Sequence, residues 1–301
     1  MIRVANAPCS WGVLEFEPTA TTATAAQVLD EMAAAGYVGT ELGDWGFLPT
    51  EPGALSAEVA RRGLALVGAF VPIALSRADS IDEGLDRAVR IATLLATAAP
   101  TTDAPVLVLS DDNASIPNRT ARAGRIRPQD GLSDTEWDAF ARRAECIAAA
   151  VRERTGLRTA FHHHCAGYVE TPAEIDALMS RTSPAVLGLC LDTGHLTYAG
   201  GGPVGVIARY ASRIWHVHLK DCDPALADQA RAEKWDYHTA IRNGIFCELG
   251  RGAVPFRRVF DALEALRYSG WLVVEQDVLP GLGTPAVSAG RNREYLRRLN
   301  L

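Results

Sequence analysis

The chain has 301 residues, 48% of them hydrophobic and 22% charged, with a formal net charge of −6. This is ordinary globular composition, and the acidic balance argues against a dedicated nucleic-acid binder, which needs clustered Lys and Arg to neutralise phosphates. No apolar run approaches the roughly 18 residues that a membrane span requires, and six widely spaced cysteines without a C-x-x-C pair suit free thiols better than a disulfide scaffold or a paired-cysteine zinc site.

Taken in order, short apolar runs alternate with longer Ala-rich stretches. The pattern predicts strand 2–7, helix 23–35, strand 38–42, helix 53–62, strand 64–71 and helix 80–98. It continues with strand 105–110, helix 134–154, strand 157–164, helix 172–181, strand 185–192 and helix 203–210. Strand 214–220, helix 255–267, strand 271–276 and helix 285–298 complete it. Strict alternation implies a parallel sheet, and eight units are the number that closes a barrel of about 250 residues. The expected fold is therefore α/β, a (β/α)8 TIM barrel forming one domain over 1–301. Punctuation agrees. Ser133-Asp134-Thr135-Glu136 and Thr171-Pro172-Ala173-Glu174 are helix starts, and Gly36 and Gly63 stand where helices must stop. Two long connections, 111–133 and 221–254, follow the fourth and seventh strands, at the end of the barrel where lids and sites are built. The first residues enter a strand with no signal-peptide pattern, so a soluble cytoplasmic protein is expected.

The ends of the later strands carry metal-ligand side chains. The fifth reads Phe161-His162-His163-His164, the sixth Leu191-Asp192-Thr193-Gly194-His195, the seventh His216-Val217-His218-Leu219-Lys220-Asp221, and the eighth Val274-Glu275-Gln276-Asp277. Residues two apart face the same side of a strand, so His162 with His164, and His216 with His218 and Lys220, point together. His163 should face away and bond to a neighbouring strand. Barrel strands are buried on both faces, where an uncompensated carboxylate is costly. Asp192 and Glu275 make sense there if a cation neutralises them. A lone strand histidine is usually just a core residue; four strands offering ligands at matching positions is a different case. Two imidazoles with two carboxylates suit Mn²⁺ or Co²⁺, with Zn²⁺ or Fe²⁺ as further options.

These motifs, with Ala7-Pro8-Cys9-Ser10-Trp11-Gly12 and Gly39-Thr40-Glu41-Leu42-Gly43, resemble the xylose-isomerase-like barrel superfamily across nearly the whole chain. The likeness is strongest to its inosose (2-keto-myo-inositol) dehydratases of inositol breakdown. The resemblance implies one divalent ion held by Asp192, His218 and Glu275. His162 stands where most of the superfamily has a glutamate, and is taken as the fourth ligand; His164 becomes a substrate contact or substitute ligand. It also implies a carbon–oxygen lyase that dehydrates a small polyhydroxylated ketone through an enediolate, in a homodimer or homotetramer. The alternative is a keto-sugar isomerase or epimerase using the same ion. An endonuclease on abasic DNA would want a basic groove, and a non-catalytic sugar-binding subunit would not need so complete a ligand set.

Only two lysines occur, Lys220 and Lys234. Lys220, two residues beyond a ligand, is expected to have its pKa lowered by the ion and to serve as acid or clamp at the leaving oxygen. His195 is a candidate for binding a substrate hydroxyl or moving a proton, and Glu41 for the base or a hydroxyl ligand, against a surface ion pair. Trp11 and Trp45 are candidates for an apolar wall beside the ring, against ordinary core packing.

Overall fold

The computed structural model describes residues 2–13, 23–99, 104–279 and 281–301. Strands β1 (Arg3–Asn6), β2 (Gly39–Glu41), β3 (Ala65–Ile73), β4 (Val106–Asp111), β5 (Arg158–His162), β6 (Leu187–Asp192) and β7 (Ile214–Leu219) run in sequence around a parallel barrel. Strands β8 (Asp221–Cys222) and β9 (Phe246–Cys247) form a separate antiparallel ribbon, and β10 (Trp271–Val274) closes the barrel between β7 and β1. The expected (β/α)8 barrel is thus present.

Twelve α-helices are described: α1 (Ala25–Ala35), α2 (Pro52–Ala60), α3 (Ile81–Ala98), α4 (Pro117–Arg122), α5 (Asp134–Thr155), α6 (Pro172–Arg181), α7 (Thr193–Tyr198), α8 (Pro203–Arg209), α9 (Pro224–Glu233), α10 (Tyr237–Arg242), α11 (Phe256–Ala265) and α12 (Pro285–Arg298). Their burial explains their positions. In α5, Trp137, Phe140, Ala141, Ala144, Ile147, Ala148 and Val151 are buried, the spacing of one helical stripe laid on the barrel. Both predicted capping boxes form, Ser133 with Glu136 and Thr171 with Glu174. Gly36 and Gly63 take φ of 92° and 68° at helix ends. Outward strand residues such as Leu66, Leu107, Leu189 and Leu272 join the main core under the helices. Two smaller clusters, one around Ala5, Val67 and Val273 and one around Val108, Ala160 and Cys190, fill the lumen ahead of the polar strand ends. No helix among the described residues is long and apolar enough to cross a membrane.

The connections differ from expectation. The stretch 221–254 is an ordered subunit of α9, α10 and the β8–β9 ribbon, and 111–133 contains α4. The six-residue α4 and α10 are too short to show a period in sequence, but the caps of α9 and α10 are legible afterwards. Asp223 and Asp236 accept backbone N–H bonds at the starts of α9 and α10. Asp221 accepts N–H bonds from Cys222, Gly250, Gly252 and Val254, so this carboxylate folds the return of the connection around itself. Strands β5, β7 and β10 are also shorter than predicted, which leaves His164, Lys220 and Glu275 just beyond them. At the first two the backbone has left the regular ladder: the His164 N–H bonds to Val169 O and the Lys220 N–H to Thr193 Oγ1.

Arg119 of α4 pins the first connection to the site end of the barrel. Its guanidinium is fully buried and grips Glu174 with both terminal nitrogens, at 2.7 and 2.9 Å, while Nε donates to Gly167 O. Glu174 thereby serves both as cap and as ion-pair partner. Breaking one side of a buried, hydrogen-bonded ion pair strands the other charge, so Arg119→Met should cost about 3–5 kcal/mol. Urea unfolding followed by circular dichroism checks this, and a loss below about 1 kcal/mol would mean that the pair adds little beyond a surface bridge.

Candidate metal and active site

Four strand ends converge. One donor atom each from His162, Asp192, His218 and Glu275 lies within 4.8 Å of every other. His218 Nδ1 is 3.2 Å from Glu275 Oε1, and His162 Nε2 is 3.7 Å from Asp192 Oδ2. His162, Asp192 and His218 are buried completely or nearly so. His162 Nε2, Asp192 Oδ2 and His218 Nδ1 have no hydrogen-bond partner. A buried polar atom without a partner costs about 1–3 kcal/mol, so three aimed at one small volume need a compensating species. A divalent ion with bonds of about 2.0–2.2 Å to nitrogen and oxygen fits this donor set.

Asp192 shows how the local fold prepares the site. Its Oδ1 accepts the His195 N–H at 2.7 Å and so caps α7, which starts directly at the end of β6. That leaves Oδ2 for a ligand. His163 faces away as expected, and its Nε2 accepts the Asp192 N–H at 3.1 Å, bonding β5 to β6.

Burial keeps His162, His163, His164 and His195 neutral, whereas at His218 the neighbouring Cys190, Glu275 and Glu41 outweigh burial and raise it well above its ordinary value. Burial, then the neighbouring His218, pushes His162 down to about 3, and burial with His162 does the same to His163 and His164. Burial and His164 hold His195 well below its ordinary value. Neutral imidazoles have lone pairs to offer. Burial raises the Asp192 and Asp277 carboxyls, while His218 and Lys220 override burial and hold Glu275 low.

Lys220 is almost fully buried, with Nζ 3.2 Å from Asp277 Oδ2 and 3.5 Å from Glu275 Oε2, above the Phe246 ring. The expected lowering of its pKa is not what the protein groups produce. Burial works in that direction, but Asp277, Glu275 and Asp192 outweigh it and hold the ammonium above its ordinary value. Glu41 is buried rather than in a surface pair, with Oε1 2.8 Å from His216 Nε2 and 3.1 Å from His218 Nε2. His216 and His218 override the effect of burial and hold it at about 2.

The cavity wall includes Glu41, His162, His164, Lys220, Glu275 and Asp277. His195 is not among its lining residues; its ring lies behind His164, with centroids 3.9 Å apart. Trp11 and Trp45 do not line it either. The Trp11 indole N–H is buried against Glu31 Oε2 at 2.6 Å, and Trp45 is 41% exposed beneath the Arg90 guanidinium. The aromatic walls are instead Phe70, edge-on to His162, and Tyr237 of α10, whose hydroxyl is 3.4 Å from His164 Nε2. Asp44, Asn113 and Cys9 also line the cavity. Sequence reading missed Phe70 because it sits mid-strand in an apolar run, and Tyr237 because it arrives from a connection without a strand period. Asp277 was within reach of it, standing in the last strand-end motif.

Residues 29–299 match the family described as the xylose isomerase-like TIM barrel. The chain belongs to that family. It is 32% identical over 297 residues to an inosose dehydratase of Geobacillus kaustophilus (strain HTA426), covering 99% of this chain and 94% of the relative. Among solved structures, a probable 3-DHS dehydratase of Bacillus anthracis superposes with a TM-score of 0.71 at 13% identity, covering 99% of both chains. The IOLI protein with a bound zinc atom superposes with a TM-score of 0.69 at 12% identity, covering 99% of this chain and 97% of the other. At such identities the structures speak for the fold. The full-length relative bears out the sequence expectation of an enzyme of the hydro-lyase type.

Proposed function

We propose that this chain dehydrates a cyclic polyhydroxy ketone of the inosose type, with one divalent cation held by His162, Asp192, His218 and Glu275. The observation that carries the proposal is the convergence of donors from four strand ends, with those of His162, Asp192 and His218 buried and without partners. The curated relative, an inosose dehydratase matched over almost its whole length, supplies the substrate class. When bound, the ion supplies positive charge that makes a carbon-bound proton next to the ketone more acidic and stabilises the enediolate character that develops.

The rest of the work falls to side chains. Dehydration removes a proton from the carbon beside the carbonyl and hydroxide from the next carbon, leaving an unsaturated ketone and water. His164 Nδ1 is 2.6 Å from Cys165 O, a carbonyl that only accepts, so Nδ1 carries the proton and Nε2 keeps its lone pair. With Nε2 beside the Tyr237 hydroxyl at the wall, His164 accepts a proton from the substrate, and His195 supports its ring from behind. The basicity of His164, low in the resting site, rises as negative charge develops on the substrate beside it. Lys220 Nζ, oriented by Asp277 and Glu275, donates toward the departing hydroxyl. Phe70 and Tyr237 flank the ring and exclude water. Six free cysteines favour a reducing, cytoplasmic setting.

The test strips the protein with chelator, restores Mn²⁺, Co²⁺ or Zn²⁺ separately and offers scyllo-inosose. Metal-dependent formation of a product lighter by one water is expected. Turnover undiminished by chelation, or a product of unchanged mass as an isomerase would give, would overturn the reading.

A further inference from the structure

Glu41 comes from the far side of the barrel, from β2, and reaches the two histidines of β7. Its aim has a local cause. The β2–β3 register slips between Thr40 and Glu41, which pair with Leu66 and Gly68 and leave Val67 as an extra residue. Such a bulge re-aims a side chain. The missing Cβ of Gly68 makes the room: an added one would sit 3.1 Å from Glu41 Oε1 and 2.9 Å from Val106 O. The carboxylate is then 2% exposed, with a single oxygen between two imidazole Nε2 atoms.

We infer that Glu41 is a positioning residue, acting through His218 to hold its proton on Nε2 so that the Nδ1 lone pair faces Asp192, His162 and Glu275. A carboxylate oxygen only accepts, so at 3.1 Å it fixes the Nε2–H tautomer and turns the ring. The other nitrogen, 3.2 Å from Glu275 Oε1 and without a hydrogen bond, is then the donor presented to a cation. His216, on the same Glu41 oxygen at 2.8 Å, braces the carboxylate from below. Glu41, His216 and His218 also cluster closely enough to hold an ion of their own, so the number of zinc ions per chain is part of the test. Carboxylates that accept the second N–H of a ligating histidine orient the ring and raise its basicity. This assignment replaces the sequence expectation of Glu41 as base or hydroxyl ligand, and it rests on the proposed ligand set.

The experiment is zinc binding by calorimetry on the full chain, with turnover at saturating zinc and ¹⁵N spectra of the histidine rings in the zinc-loaded protein. Glu41→Ala should weaken zinc binding about 10–100-fold, while kcat at saturating zinc stays within about tenfold of the parent. Glu41→Gln keeps the volume and one accepting oxygen; it should fall between the two, and it carries the test if the alanine variant does not fold. In the parent, His218 should read as zinc-bound at Nδ1 and protonated at Nε2. Unchanged zinc affinity with a collapsed kcat would make Glu41 a catalytic group and overturn the inference. So would two zinc ions per parent chain with one lost in Glu41→Ala. If Glu275→Gln abolishes zinc uptake and Glu41→Ala does not, this inference alone falls. If Glu275→Gln leaves uptake unchanged, the ligand set falls and takes the inference with it.

Discussion

Asp192→Asn abolishes metal-dependent turnover, by on the order of 10³-fold or more, yet leaves the metal-free protein melting no lower than the parent. The two halves of this expectation come from the two oxygens of one carboxylate. Oδ1 caps α7 through the His195 N–H, a task that asparagine performs as well as aspartate. Oδ2 is buried without a partner, 3.7 Å from the equally partnerless His162 Nε2. An amide in its place removes a buried charge, which costs several kcal/mol to keep out of water. The fold therefore loses nothing when metal is absent. A bound ion stabilises the native state by about 2.7 kcal/mol at a hundred times its dissociation constant; this rise in Tm, present in the parent, vanishes in the variant. Asp192→Ala loses the cap as well and melts lower, by the equivalent of about 1 kcal/mol. Thermal melts with and without metal decide it. A metal-linked rise in Tm retained by Asp192→Asn would remove Asp192 from the ligand set.

The barrel was legible because its signal is long-range and redundant: eight apolar runs, eight amphipathic stretches, and caps such as Ser133 and Thr171 that work through neighbouring residues alone. The clustering of His162, Asp192, His218 and Glu275 was legible for a related reason. Strands of a parallel barrel all end on the same face, so terminal residues meet whatever the details of packing. What sequence could not reveal depended on single local events. In sequence Glu41 reads equally as a base, a hydroxyl ligand or half of a surface ion pair, and a bulge with Gly68 decides that it turns inward. Tyr237 enters the wall on a six-residue helix whose only advance sign is the capping Asp236. Trp11 and Trp45, candidates for an apolar wall in sequence, are turned elsewhere: one spends its N–H on Glu31 and the other stacks under Arg90 outside the cavity. Side-chain direction in a turn is set by its own hydrogen bonds, and sequence spacing does not carry it.

Lys220→Ala should lower kcat by about 10²–10⁴-fold, the usual range for losing a positioned proton donor, with the fold retained but less stable because Asp277 is left buried without its counter-ion. The side chain is 3% exposed and its ammonium is fixed in three directions: Asp277 at 3.2 Å, Glu275 at 3.5 Å and the Phe246 ring at 4.8 Å. A cation so placed reaches an oxygen bound beside Glu275 without reorganising. Truncation to alanine empties a slot of lysine shape with two carboxylates at its end, so added methylamine should enter it and restore at least about tenfold of the lost rate. Lys220→Met fills the same slot with an uncharged stem, and methylamine should do nothing for it. Lys220→Arg retains the charge but gives up no proton near neutral pH. A strong activity loss in that variant assigns proton donation to Lys220, whereas near-parental activity assigns electrostatic support alone. Rates of Lys220→Ala within threefold of the parent would remove Lys220 from the chemistry and leave it as the counter-ion of Asp277.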